Sequence, residues 1–277
     1  MALTPYQCSV HTHSTFCDGK NTMAEMAAAA CAAGVKHYGF SGHVHSPAPA
    51  DVGVCMDRDL TAYRTEAERL RQAYAGRMEI LPGIEWDLCS DMPVPDWAWY
   101  WIGSVHNLYD DRTGQYYTVD WRPEMLMACR DEVFGGDMYA LVEGYFAAVA
   151  RVAEEKPDIL GHIDLITKLN GDGCLFDEAD CRYRAAVLAA LHAADPTATL
   201  LEINTGAVSR GYRKTPYPAP FLLEEWRRMG GQVIVTADTH SARTILYGYR
   251  DAIELAKSAG YRESVLLTGD GWVSCSL

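Results

Sequence analysis

Residues 6–43 read YQCSVHTHSTFCDGKNTMAEMAAAACAAGVKHYGFSGH. A short apolar run, Tyr6–Val10, leads into His11. An Ala-rich stretch, Met23–Ala33, follows, with Asn21 or Thr22 as its N-cap and Gly34 as its stop, which predicts a helix. A second apolar run, His37–Phe40, leads to His43. Strand, helix and strand in that order predict a βαβ unit with parallel strands.

The same alternation continues to the C-terminus. Helices are expected over Leu60–Tyr74, Met138–Glu155, Arg182–Ala194, Phe221–Met229 and Ala252–Ala259. Between them, Glu79–Leu81 leads through Pro82 and Gly83 to Glu85, and Trp99–Val105 leads to His106. Ile159 and Leu160 lead to His162, Thr199–Ile203 to Asn204, and Gln232–Thr236 to Asp238 and His240. Ser264–Leu267 is a last apolar run. Repeated right-handed crossovers of this kind close into a barrel, with the chemistry at the C-terminal ends of the strands.

Nine side chains fall at those ends: His11, His13, Asp18, His43, Glu85, His106, His162, Asp238 and His240. Six are histidines, from only nine in the chain. Imidazole and carboxylate are ligands that Zn, Mn and Fe accept. His11 and His13 share the strand period of two, so their rings face the same way. One HxH is weak by itself; the signal is the joint occurrence. His37 and His192 belong to no motif, and His45 can support His43.

Composition narrows the class further. The chain has 277 residues, 49% hydrophobic and 22% charged, which suits a globular protein with a large core. No linker, low-complexity tract or repeat divides it, so residues 1–277 are expected to form a single domain. The formal charge of −13 argues against long nucleic acid as a partner but allows a small phosphorylated metabolite beside bound cations. No signal-peptide pattern or membrane-spanning run is evident, and nine scattered cysteines without a CxxC pair favour reduced thiols and a cytoplasmic setting. The sequence carries no sign of oligomeric state. Asn107–Asp137, rich in tyrosine, reads as an irregular segment, either a lid or insertion at about 107–137 or a surface excursion with some helix. Trp86, Trp97, Trp99, Tyr100 and Trp101 crowd the third and fourth strands, where Trp99 and Trp101 are expected in the core.

The segments HTHSTFCDG (His11–Gly19), SGH (Ser41–His43), GIEWD (Gly83–Asp87), SVH (Ser104–His106), GHIDL (Gly161–Leu165), EINTGA (Glu202–Ala207) and TADTHS (Thr236–Ser241) resemble the ordered motifs of the polymerase-and-histidinol-phosphatase (PHP) family. The subgroup they most resemble is the HisK-type histidinol-phosphate phosphatases. The resemblance implies an α/β fold, a distorted (β/α)7 TIM-like barrel, with two or three divalent metal ions. His11, His13, Glu85 and Asp238 would hold the first; Glu85, bridging, would share the second with His106 and His162; Asp18, His43 and His240 would hold a third. It also implies phosphomonoester hydrolysis, most simply of L-histidinol phosphate, by attack of a metal-bridging hydroxide, with catalytic roles for Asp18, His43 and Asp238.

Related phosphatases carry an arginine after the GHIDL-like segment, where this chain has Thr167 and Lys168. Lysine is a point charge rather than a bidentate fork. Arg210, Arg213 and Lys214 follow EINTGA and could supply the fork. Lys168, Arg210, Arg213 and Asn204 are therefore the substrate-binding candidates, and Glu202 and Asn204 can also orient ligands. Three other readings stay open. One is a phosphoesterase acting on another small metabolite, nucleotide or phosphodiester. Another is an amidohydrolase or deaminase, although no lysine ends an adjacent strand to bridge metals. The last is a non-catalytic metal-binding domain, although none of the nine candidates is missing.

Overall fold

A computed structural model describes residues 3–277. The first βαβ unit forms as expected: β1 (Cys8–Ser9), α1 (Met23–Ala32) and β2 (His37–Phe40), the strands parallel. Thr22 caps α1 by accepting from the Glu25 amide, while the Glu25 side chain accepts from the Thr22 amide. Gly34, at φ +86°, ends it. The strand predicted over Tyr6–Val10 is shorter than its apolar pattern, because Pro5–Gln7 is a turn of 3-10 helix.

The next elements are α2 (Thr61–Ala73), β3 (Glu79–Pro82), β4 (Ile84–Asp87) and β5 (Trp101–Ser104). β3 pairs with β2, and β4 with β5, so one stave changes partner at Gly83. Gly83 is required there: a Cβ would enter the ring of Tyr100, which is buried with its hydroxyl near the carbonyls of Val10 and Phe40. Residues 107–137 are not irregular. They form a hairpin, β6 (Asn107–Asp110) with β7 (Gln115–Thr118), and then α3 (Pro123–Val133). Asp110 takes the turn amides of Thr113 and Gly114, and Gly114 has the positive φ the turn needs.

After α4 (Met138–Glu154) come β8 (Ile159–Leu160), α5 (Cys181–Ala193), β9 (Leu200–Asn204), the short α6 (Gly206–Ser209), α7 (Pro220–Arg228), β10 (Val233–Thr236) and α8 (Tyr249–Ser258). One parallel sheet runs β1-β2-β3 and another β10-β9-β8-β5-β4. Two isolated parallel bridges join them, Thr12 with Thr239 and His43 with Glu85. Seven staves therefore follow one another in a ring, counting β3 and β4 as one. Bridges rather than ladders close it, and that is the distortion of the barrel.

Apolar side chains of the staves, among them Val10, Leu81, Ile102, Ile159 and Ile234, cluster with Tyr100. The final apolar run is not an eighth stave. It is β11 (Glu263–Thr268), antiparallel to β12 (Gly271–Ser276), and Val265, Leu266 and Leu267 join that cluster. Outside, α1 and α2 pack with β2 and β3, and α4, α5, α7 and α8 with β8 to β10. Trp99 is not core: it is 39% exposed under the Arg71 guanidinium, whereas Trp101 is half-buried against Trp86. No described helix is long and apolar enough to cross a membrane, and all nine cysteines are free thiols.

Candidate metal centre

Parallel staves in register deliver their C-terminal ends to one face, which carries all nine candidates. His11 and His13 follow β1, His43 follows β2, Glu85 lies in β4, and His106 follows β5. His162 follows β8, and Asp238 and His240 follow β10. They form four overlapping groups whose ligand atoms lie within 4.8 Å of one another: His11–His13–Asp238, His11–Glu85–His162, His43–Glu85–His106 and His13–Asp18–His43–His240. The groups share members, so the arrangement supports a multinuclear site without dictating one partition among ions.

Glu85 is the hub. Its Oε2 stands 3.2 Å from His11 Nε2, 3.4 Å from His13 Nε2 and 3.0 Å from His43 Nδ1. Its Oε1 stands 3.0 Å from His162 Nε2 and 3.6 Å from His106 Nε2, and accepts from the Ser104 hydroxyl at 2.7 Å. Asp238 Oδ1 is 3.4 Å from His13 Nε2 and 3.7 Å from His11 Nε2. Donor atoms about 2.1 Å from a tetrahedral ion stand about 3.4 Å apart. The spacing around His11, His13, Glu85 and Asp238 is that of a metal's ligand shell.

The unpaired atoms agree. His11 Nε2, His13 Nε2 and Glu85 Oε2 are buried without a hydrogen-bond partner and converge on one point. His11 Nδ1 is committed to Glu202 Oε1 at 2.5 Å, which leaves Nε2 as the free atom. Burial works against a charged His11, yet Glu202, Glu85 and Asp238 together raise its pKa well above the usual range. These carboxylates demand a cation where Nε2 points. Burial also opposes ionisation of Glu85, but His43, His11 and His106 hold its carboxyl well below the ordinary range. His106, disfavoured as a cation by burial but faced by Glu85 and Asp87, is raised to about 10. Burial, reinforced by His240 and His43, brings His13 down to about 3, so its ring is a neutral donor. The donor set fits divalent metal.

Two buried carboxylates hold the histidines in place. Glu202 accepts from His11 Nδ1, the His162 amide at 2.7 Å, Asn204 Nδ2 at 3.0 Å and the Thr236 hydroxyl at 2.7 Å. Asp87 accepts from the His106 amide at 2.6 Å and faces its Nδ1 at 3.2 Å. Asp238 has φ +43°, a left-handed conformation that aspartate tolerates better than most residues. Gly206 makes room for it, since a Cβ there would lie 2.5 Å from Asp238 Oδ2. Gly206→Ala is therefore expected to displace Asp238 and lower bound metal by elemental analysis without unfolding the protein. Wild-type metal content in the folded variant would contradict this.

A cavity of about 330 Å³ opens over the cluster. Two of the substrate-binding candidates line it. Lys168 is largely buried, bonded to Asp120 at 2.7 Å and 5.0 Å above the Tyr212 ring. Arg210 donates to Asp238 Oδ2 at 3.1 Å and reaches His240 Nδ1 at 2.8 Å. The other two lie elsewhere. Asn204 is fully buried between Glu202 and the Gly206 amide. Arg213 bonds Thr167 and stacks over Tyr217. The aromatic residues at the cavity are Trp121 and Tyr212, not the tryptophans near β4 and β5. Asp51, Asp87 and Asp120 also line it and were not singled out in the sequence, Asp87 although it stands inside a recognised motif; Trp121, which lines it too, belongs to the 107–137 segment.

Comparison with known proteins agrees with this architecture. The chain is 30% identical to a "Probable histidinol-phosphatase" of Deinococcus radiodurans, over 92% of this chain and 94% of that one. It is 27% identical to a "Probable histidinol-phosphatase" of Schizosaccharomyces pombe, over 71% of this chain and 63% of that one. The crystal structure of histidinol phosphate phosphatase (HISK) from Lactococcus lactis subsp. lactis, complexed with Zn, L-histidinol and phosphate, superposes with a TM-score of 0.68 at 20% identity. It covers 96% of this chain and 99% of that one, and shows the same fold. The PHP domain model matches residues 9–206, which hold seven of the nine candidates, while Asp238 and His240 lie beyond it on the stave that closes the ring. By sequence and by architecture, the chain belongs to the PHP domain family.

Proposed function

We propose that this protein is a metal-dependent phosphomonoesterase that hydrolyses L-histidinol phosphate to L-histidinol and phosphate, the step that such an enzyme supplies to histidine biosynthesis. One observation carries the reading: six histidines and two further carboxylates, Asp18 and Asp238, surround a single buried hub, Glu85, beneath a cavity that also presents Lys168 and Arg210. The relatives' names and the ligands of the Lactococcus lactis protein support the substrate. Two or three ions of Zn, Mn or Fe suit the mixed nitrogen and oxygen donors. Nine free thiols support a reducing cytoplasm.

Divalent ions held by these residues would acidify a water and offset charge on the phosphoryl oxygens. The chain's own groups supply the rest. Arg210 and Lys168 offer cationic donors to the phosphate, Arg210 as a planar fork and Lys168 as a point charge. Asp120 and Asp238 hold both cations in place before substrate arrives. Asp18 lies 3.1 Å from His240 Nε2 and 3.8 Å from His43 Nε2, and despite burial these imidazoles hold its carboxyl well below the ordinary range, so Asp18 can orient His43 as the group that passes a proton to the leaving alkoxide.

Phosphate release from L-histidinol phosphate, set against sugar phosphates, nucleotides and a phosphodiester, tests the substrate. The expected result is a preference of about 100-fold or more in kcat/KM for histidinol phosphate. Equal or faster release from nucleotides or the diester would keep the metal chemistry and overturn the substrate.

A further inference from the structure

Six carboxylates line the cavity over the metal centre: Asp18, Asp51, Glu85, Asp87, Asp120 and Asp238. Five already face a cationic or imidazole partner. Asp18 faces His240, Glu85 the histidine cluster, Asp87 His106, Asp120 Lys168, and Asp238 Arg210. Asp51 makes no ion pair among the described residues although it is only 9% exposed. Burial raises its pKa and the Asp87 charge adds to the effect, while the Ser46 hydroxyl and the more distant His106 and His43 rings offset only part of it. A carboxylate kept in such a place without a direct ion-pair partner is costly, and a cationic ligand in contact with it removes that cost.

The surroundings fix how Asp51 is presented. It ends a 3-10 turn, Pro49–Asp51, in the loop after His43. Asn107, next to His106, donates from Nδ2 to Asp51 Oδ2 at 2.9 Å, and Thr118 donates to Asn107 Oδ1 at 2.7 Å. One oxygen is thus anchored through the β6–β7 hairpin, and with Ser46 as its other near donor the carboxylate keeps lone pairs for a further one. L-Histidinol phosphate carries its amine on the carbon next to the one that bears the ester oxygen. The partner of that amine must therefore stand beside the metal ligands rather than at the far end of the cavity, and Asp51 is held there by the neighbour of His106.

We propose that Asp51 is the specificity-determining residue for the substrate's primary ammonium group, which it receives as a charge-assisted hydrogen bond. This rests on the histidinol-phosphate reading and goes beyond it by assigning the amine a partner. Asp51 binds no metal and transfers no proton in this role; it selects aminoalkyl phosphates over esters that lack the amine.

The test measures kcat and KM for L-histidinol phosphate and for its desamino analogue, 3-(imidazol-4-yl)propyl phosphate, in the metal-loaded wild type and in Asp51→Asn. Wild type is expected to favour the amine by about 30-fold in kcat/KM, mostly through KM. Asp51→Asn should lose that preference while hydrolysing the desamino ester as wild type does. If the variant slowed both esters equally, Asp51 would be a structural residue and the proposal would be overturned. If wild type hydrolysed neither ester, the substrate reading itself would fail and take the proposal with it. Should Asp51→Asn not fold, Asp51→Glu carries the same comparison: moving the carboxylate must weaken the preference and leave the desamino ester untouched, and an unchanged preference overturns the proposal.

Discussion

Glu85→Gln is expected to abolish most of the phosphatase activity and much of the metal binding while the barrel stays folded. Glutamine keeps the volume of the side chain and can still accept from Ser104. It removes the negative charge that stands within 3.6 Å of nitrogens from His11, His13, His43, His106 and His162. Among the described residues no other side chain reaches so many of the cluster, and an amide is a far weaker metal ligand than a carboxylate. The loss of transition-state stabilisation is roughly 4 kcal/mol, or about 10³-fold in kcat/KM. Elemental analysis should show less metal per chain, and circular dichroism an unchanged fold. A variant that kept its metal and more than about a tenth of wild-type activity would show that the hub is not Glu85.

Glu202→Ala produces the second large effect, and it falls first on stability. The Glu202 carboxylate accepts four hydrogen bonds inside the barrel, from His11, His162, Asn204 and Thr236. Truncation leaves these donors buried without a partner, at roughly 1–3 kcal/mol for each that finds no substitute. Partial relaxation makes about 4 kcal/mol the expected total in the chelated protein, read from the denaturant midpoint. His11 also loses the contact that fixes its Nδ1 proton and aims Nε2 inward, so metal affinity should fall about 10–100-fold. Glu202→Gln, which retains acceptor capacity, should fall between variant and wild type. A loss below about 1 kcal/mol with unchanged affinity would mean that packing alone positions His11.

Much of this cluster could be read from the sequence because every candidate ligand but Asp18 sits in or within a few residues of an apolar run. Strand direction alone then brings His11, Glu85, His162 and Asp238 to one face, whatever the helices between them do. The residues that line the cavity were harder to read because contacts distant in sequence put them there. Asp51 lies in an irregular loop and meets Asn107 only once the chain has folded. Asp120 and Trp121 follow a hairpin whose tyrosines alternate too briefly to separate strand from loop. Asn204 stood beside a ligand-like motif, but strand alternation turns it toward Glu202 rather than the cavity. The last apolar run could not be assigned for a related reason: a buried strand reads alike whether it is a stave or part of an antiparallel hairpin. Trp99 was expected inside because tryptophan is so often buried, yet a neighbouring guanidinium covers it at the surface.

If these nine side chains form a metal centre for phosphomonoester hydrolysis, added metal must restore activity to the chelated protein. The most direct measurement is a titration of chelated protein with Zn, Mn or Fe(II), following phosphate release from L-histidinol phosphate at each equivalent. The expected result is no release without metal, a rise in step with added ion, and a plateau at two or three equivalents per chain. Full release by the chelated protein, or none at any metal loading, would contradict it.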